Sequence, residues 1–517
     1  MRRVVVAVTA VLVTLGGAVV VSYLLLFAAV ADRAARAAPA DTAIYLSVYL
    51  QPSAGQQMNL FDLVGRLRGF GDPANLEAKI DEVAGRLLGQ AGIDYAADVR
   101  PWLGAQIAIA AAPGEAGSPP TELLLAAVKD SAAARRSVPH LFAPMKIAFK
   151  HETFHGHALM TSEGTSYALL DDLLVVASTP ERLRASIEAD ANVASSLADS
   201  PAFTAAMREV ASDHLASVYL DLPRAAGLPE GHLLGGFGNA ALALTAEADG
   251  LHLQGRARFA ADAASDKARA AFSLGAHPTT LAGWMPRATS AEVVLLGAAK
   301  SFEDLEASLS GNSAFAPTVA ALNQLRGIAA LGLGINFNRD LLPLFGGEAA
   351  VALQSLDADG FHGQVLMRPG DAAAAKGALD RMRSGLADRG SRVTVRQVAG
   401  TGVTSVAVPQ IGSVAYAMLD GVVVIGLDAA DVAAALEAHD AGETLETDDR
   451  YSATFELAGR HAGNELWADI PSLVDALAGT FDPGGELRDI LHQIGELAAS
   501  ATATDDRLEI NGVLTVK

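Results

Sequence analysis

The chain has 517 residues, 51% of them hydrophobic and 19% charged, and it contains no cysteine. That length and apolar content suit several folded domains and exclude a disordered protein, while the missing cysteine excludes disulfides, thiolate metal sites, a cysteine nucleophile and a lipid-modified cysteine. The formal charge is −21; the first forty residues carry four arginines and one aspartate, a charge of +3, which leaves −24 on the rest, and such a surface repels nucleic acid and anionic lipid headgroups over a Debye length.

Residues 4–31, after Met1-Arg2-Arg3, form a run of 28 residues without a charge. As a helix the run rises about 42 Å, more than the roughly 30 Å of a hydrocarbon core. The apolar part of a cleaved signal is about 7–15 residues long. The expectation is therefore a retained signal-anchor whose partner is the lipid bilayer. Ala38-Pro39-Ala40 offers a competing cleavage site that would create an N-terminus at Asp41, but it lies beyond Arg33 and Arg36; a buried helix of a soluble protein is the third reading. Arg2, Arg3 and the terminal amine favour a cytoplasmic N-terminus with the bulk of the chain extracytoplasmic. No later stretch approaches 18 uninterrupted apolar residues, so one span is expected.

Downstream, AIYLSVYL from Ala43, QIAIAAA from Gln106, ELLLAAV from Glu122 and LLVVAS from Leu173 read as strands. NLEAKIDEVAGRLLGQAG from Asn75 has helical spacing, with Gly92 placed to end it. Thr179-Pro180 and Ser200-Pro201 announce helix starts, a hydroxyl cap before proline. Asp249-Gly250, Asp359-Gly360 and Asp420-Gly421 lie between apolar runs as tight-turn dipeptides.

The chain also repeats itself. DVRPWLGAQIAIA from Asp98 aligns with DLLPLFGGEAAVA from Asp340, so that Asp98, Pro101 and Gly104 match Asp340, Pro343 and Gly346. YALLDDLLVVAS from Tyr167 matches YAMLDGVVVIGL from Tyr416. The passage from Ser200 to Pro223 matches the one from Asp449 to Pro471, pairing Asp221 with Asp469. ALTAEADGLHLQGRARF has its counterpart in ASATATDDRLEINGVLTV. The order is kept at offsets of 242, 249, 248 and about 256 residues, which indicates a duplicated domain rather than a short-period solenoid. The predicted class is α+β, two similar halves of antiparallel sheet with packed helices. The predicted organisation is an anchor and short linker over 1–38, a first repeat over 39–260, a linker over 261–281 and a second repeat over 282–517.

PADTAIYLSV, DVRPWLG and the SLADSPAF…YLDLP passage resemble a bacterial family known as domain of unknown function 3352. The resemblance covers most of the chain after Pro39; the second half departs at Leu344-Phe345, where the first has Trp102-Leu103. It implies an envelope protein with an N-terminal membrane segment, and it brings no activity, cofactor or catalytic residue.

One string tempts a catalytic reading. HETFH, residues 151–155, spells the His-Glu-x-x-His of zinc peptidases, which hold metal with two histidines one helical turn apart. The surrounding MKIAFKHETFHGHALMTS alternates instead, and alignment of His151 with Ala399, Glu152 with Gly400, His155 with Val403 and His157 with Ser405 puts the string across a hairpin turn around Gly400-Thr401-Gly402. His155 and His157 on one strand would share a face, with His151 as a third candidate metal ligand. The pairs Asp171-Asp172 and Asp505-Asp506 read as turns, and Asp98 and Asp340 as turn braces. Trp102 reads as a core anchor, and Asp221 and Asp469 as strand-to-helix caps. There is no Gly-x-Ser-x-Gly, phosphate-loop or EF-hand string, and Gly332-x-Gly334 lacks a third glycine. The expected function is a membrane-anchored, non-enzymatic binding or scaffold module without cofactor, its partner an envelope protein or ligand of unknown identity. A carrier of lipid or another apolar ligand, and a metal-dependent hydrolase at His151, His155 and His157, are the alternatives.

Overall fold

A computed structural model describes residues 32–67, 92–114, 120–226, 237–260, 278–299, 336–357, 360–408, 412–459, 462–477 and 485–517, with scattered positions between 81 and 89 and between 303 and 327. The expected anchor over 4–31, most of the helix expected from Asn75, most of the 261–281 linker, Asp359 and the Gly332-x-Gly334 pair lie outside these residues. Among the described residues no helix is long and apolar enough to cross a membrane.

The fold is mixed helix and antiparallel sheet, and the chain divides into two compact units that meet between Arg258 and Phe259 in sequence. The first unit holds β1 (Ile44–Tyr49), β2 (Leu103–Ala112), β3 (Thr121–Val128), β4 (Lys150–Phe154), β5 (His157–Thr161), β6 (Ser166–Leu169), β7 (Leu173–Ala177), β8 (Ala216–Asp221), β9 (Phe237–Ala246) and β10 (Gly250–Phe259). Its strands lie in the order β4-β5-β6-β7-β3-β2-β1-β8-β9-β10. The second unit holds β11 (Ala291–Leu296), β12 (Glu348–Asp357), β13 (Gly360–Arg368), β14 (Val393–Val398), β15 (Thr401–Val408), β16 (Gly412–Leu419), β17 (Val422–Gly426), β18 (Asn464–Asp469), β19 (Ile494–Ala503) and β20 (Arg507–Val516). Their order is β14-β15-β16-β17-β13-β12-β11-β18-β19-β20. Position by position, the second order is the first shifted by ten strands.

Local chemistry sets the turns. His155-Gly156 (φ 47° and 82°), Ala399-Gly400 (46° and 75°) and Asp420-Gly421 (48° and 79°) each place two left-handed residues between paired strands. That is the type I′ geometry whose twist matches a hairpin. Gly92 is also left-handed (φ 76°), and the next amide, Ile93 N, donates to Leu88 O at 3.0 Å.

Helices cover the sheets. The first unit has α1 (Arg33–Ala37), α2 (Ala54–Arg66), α3 (Ser131–Phe142), α4 (Pro180–Asp190), α5 (Pro201–Met207) and α6 (Leu222–Ala226). The second has α7 (Ala372–Asp388), α8 (Ala429–Ala441), α9 (Asp449–Leu457), α10 (Ile470–Ala476) and α11 (Gly485–Leu491). Thr179 and Ser200 cap α4 and α5 through their hydroxyls, each followed by proline at the first helical position.

Each unit owns a core. In the first, Tyr45, Ala108, Leu123, Leu125, Val175 and Tyr219 pack under α1, α4 and α5, and Trp102, Leu174 and Val176 pack under α3 in a separate cluster. In the second, Val294, Ala350, Leu366, Trp467 and Ala498 pack under α8 and α9. Residues 33–37, expected as linker, are instead core: Ala34, Ala35, Ala37 and Ala38 are wholly buried. The last residues expected as linker also join a core, since Leu281 is fully buried in the second unit. Small side chains explain the misreading, because four alanines near arginines carry little hydrophobic signal in sequence yet let a helix lie close on a sheet.

Candidate functional site

HETFH is a strand running into a turn. Lys150–Phe154 is β4, His155-Gly156 is the turn, and Phe154 faces His157 across the hairpin. His155 therefore does not share a strand face with His157; it sits in the turn with its ring edge-on to Phe154, centroids 4.5 Å apart. The structural counterpart of His155 is Ala399 rather than Val403, because the second hairpin turns at Ala399-Gly400 and Thr401 already begins β15. The alignment of the two hairpins slips by four residues in sequence because nothing but the turn glycine marks the register. Glu152 is held by Arg184 Nη2 at 2.6 Å and Thr161 Oγ1 at 3.1 Å, and the Arg184 bond foremost keeps its carboxyl below the usual range. Among the described residues His151, His155 and His157 do not form a group with ligand atoms within 4.8 Å of one another.

The turn residues brace the starts of β2 and β12. Asp98 lies in a single wide helical turn, Tyr95–Val99, and its carboxylate accepts from Asp94 N at 3.4 Å. Asp340 does the same in Phe337–Leu341, accepting from Asn336 N at 2.9 Å. It is buried, and the hydrogen bond from Arg339 leads the causes, Arg381 among them, that hold its carboxyl far below the ordinary range. Pro101 and Pro343 follow these turns. Trp102 is buried and donates its Nε1 to Asp98 O at 2.5 Å; Leu344 fills the corresponding place. A Cβ at Gly104 would stand 2.9 Å from the Ala127 carbonyl carbon, whereas Gly346 has room, and the close approach in the second unit is made by Gly347. Asp221 and Asp469 end β8 and β18 and accept from Arg224 N and Ser472 N.

The most heavily built polar site sits where the chain enters the first unit, and the sequence did not single it out. Asp32 caps α1 through Ala35 N (2.9 Å), and the same carboxylate oxygen accepts from the Tyr45 hydroxyl (2.5 Å) and Gln106 Nε2 (2.6 Å). Burial, then the neighbouring Asp32, push the Tyr45 hydroxyl well above its ordinary value, so it stays a donor. Gln106 Oε1 receives Ala34 N at 3.1 Å. Arg33 reaches Asp172 through Nε and Nη2 (3.0 and 2.8 Å) and Asp190 through Nη1; the Arg33 bond holds the Asp172 carboxyl below its usual range.

The backbone that follows is bonded residue by residue. Ala37 O accepts from Ser186 Oγ (2.7 Å), Ala38 O from Leu197 N (2.7 Å) and Pro39 O from Thr42 N (3.0 Å), while Ala40 N donates to Ser195 O (3.1 Å). Asp41 pairs with buried Arg182 at 2.5 Å. The second unit has an analogous entry in which the sheet, not the segment, supplies the carboxylates: Thr279 Oγ1 and Thr280 N donate to the buried sheet carboxylates of Glu465 (2.5 Å) and Glu348 (2.8 Å). Pro286 bridges Thr444 there as Pro39 bridges Ser196. One further cluster, Glu247, Asp249 and His252, gathers its ligand atoms within 4.8 Å at the β9–β10 turn.

A family profile described as a protein of unknown function, DUF3352, matches residues 4–514. No curated protein matches the chain. Among solved structures, crystal form I of TP0453 aligns at 12% identity and a TM-score of 0.24, covering 46% of this chain and 81% of that one. Crystal form III of TP0453 aligns at 14% identity and a TM-score of 0.25, covering 49% and 90%. With a profile match over nearly its whole length, the chain belongs to the DUF3352 family of proteins of unknown function.

Proposed function

We propose that the protein is a non-enzymatic binding or scaffold module, held in a membrane by residues 4–31 and exposed on the extracytoplasmic side, whose two units arose by duplication. The observation that carries the membrane part is the entry segment. A cut after Ala40 would remove α1 and Ala38, and with them four buried alanines, the Asp32 carboxylate under Tyr45 and Gln106, and the Arg33 ion pairs. In the folded protein the same peptide is bonded at Ala37, Ala38, Pro39 and Ala40, so once folded it offers a peptidase no extended, unpaired backbone. Both facts weigh against a cut after Ala40 and so favour retention of the N-terminal run. The common strand order and the paired turn residues favour duplication.

A carrier role is the second reading. It is favoured by Val293, Leu295, Val351 and Leu466, large aliphatic side chains each more than a third exposed, with Val293 directly across from both Val351 and Leu466. Membrane fractionation with an alkaline wash, combined with the intact mass of the purified full chain, tests the first reading. Residues 1–40 retained in the pellet is the expected result; a mature N-terminus at Asp41 defeats it.

A further inference from the structure

We propose that the rim of the first unit formed by the Asp171-Asp172 turn and residues 191–193 is a bilayer-facing surface, set against phospholipid headgroups without an intervening tether. This rests on the anchor reading above and adds to it where the folded body stands.

The uncharged run ends at Ala31, and Asp32 is already the cap of a buried helix. No residue between the run and α1 remains to serve as a flexible spacer. Two residues of chain span at most about 7 Å, so Arg33 lies within that distance of the end of the run. Arg33 in turn touches Asp172, in the β6–β7 turn, and Asp190, the last residue of α4. Both rim segments are thus within a side chain's length of the entry point, comparable to the roughly 5–8 Å depth of a headgroup layer. The run is longer than the hydrocarbon core, a surplus that helix tilt can take up.

The rim carries one exposed cation and one exposed aliphatic tip beside the exposed carboxylates of Asp171 and Asp172. Arg36 is exposed beside it, and Val193, 61% exposed, follows the end of α4 on backbone bonded back to Glu188 O. A cation and an aliphatic tip suit the phosphate and glycerol levels of a phospholipid. The Glu163-Gly164 turn supplies the contrast, because it lies at the other end of β6, about 14 Å of strand away.

The absence of native cysteine makes the test direct. Asp171→Cys, Val193→Cys and Glu163→Cys full-length chains would each be labelled with bimane and reconstituted into phosphatidylcholine–phosphatidylglycerol vesicles containing headgroup-nitroxide lipid. Loss of emission at positions 171 and 193 but not at 163 is expected. A twenty-residue Gly/Ser spacer inserted between Ala31 and Asp32, which spans about 25 Å, should restore it while the protein still floats with the vesicles. Flotation without quenching at 171 and 193 overturns the rim and leaves the anchor reading intact, as does equal quenching at all three sites. Failure to float overturns the anchor reading and the rim together.

Discussion

An ectodomain beginning at Asp41 should be far less stable than one beginning at Asp32, although only nine residues separate them. Those nine carry the four buried alanines at positions 34, 35, 37 and 38. At roughly 0.8 kcal/mol per buried methyl-sized group they contribute about 3 kcal/mol. Loss of the Asp32 cap removes about 1 kcal/mol more, and the hydrogen bonds of Ser186 and Gln106 to the segment about 1 kcal/mol each. The total of about 6 kcal/mol rivals the whole stability of many domains. With a urea slope near 2–3 kcal/mol per molar for a unit of this size, the first unit's midpoint should fall by about 2 M. Hydrogen exchange of peptides from β1 and β2 assigns the loss to this unit. Ala35→Asp in the full chain supplies the same test without truncation, since it sets a charge at a fully buried position. Equal midpoints and equal protection for the two ectodomains would refute the reasoning.

Three further outcomes are expected. Gly347→Ala should destabilise the second unit strongly in thermal melts, because its Cβ would lie 2.1 Å from Arg368 O, while Gly346→Ala, with 3.4 Å to Pro343 O, should melt within a degree or two of the parent. Asp340 has a carboxyl depressed below its ordinary 3.8, so its stabilisation is complete above that value and is lost as pH falls through the folded-state value; Asp340→Asn should therefore be less stable near pH 7, with the difference narrowing in acid titrations below about pH 4. Glu152→Gln and His155→Ala should leave the fold and metal content unchanged by circular dichroism and elemental analysis, and stoichiometric zinc lost on His155→Ala would reverse the reading of that hairpin.

Strands and caps were legible because their determinants are local. The apolar runs AIYLSVYL and LLVVAS returned as β1 and β7, and the pairs of a hydroxyl residue and proline at 179–180 and 200–201 returned as helix starts. The His155 turn was placed on a hairpin correctly but in the wrong register, since Ala399-Gly400 lacks the Asn or Asp that usually marks a left-handed pair. The entry site was illegible for a different reason. Its parts come from Asp32, Tyr45, Gln106, Asp172, Asp190 and Ser186, distant in sequence and individually ordinary, and only the sheet order brings them together. Glu465 and Glu348 escaped notice likewise, because a carboxylate on a strand reads as solvent-facing until its hydroxyl and amide partners are in place.

The exchanged places of carboxylate and donor in the two entry segments bear on how such a chain reaches one folded state. Tandem units with one strand order are prone to exchange equivalent pieces while folding. Here an exchanged segment would meet the wrong lining: Asp32 would be driven against Glu465 and Glu348, carboxylate on buried carboxylate, and Thr279 would stand where Tyr45 and Gln106 need an anionic acceptor. Each segment thus carries the key to its own sheet, and the mismatch acts as proofreading between two templates that backbone pairing alone would not distinguish.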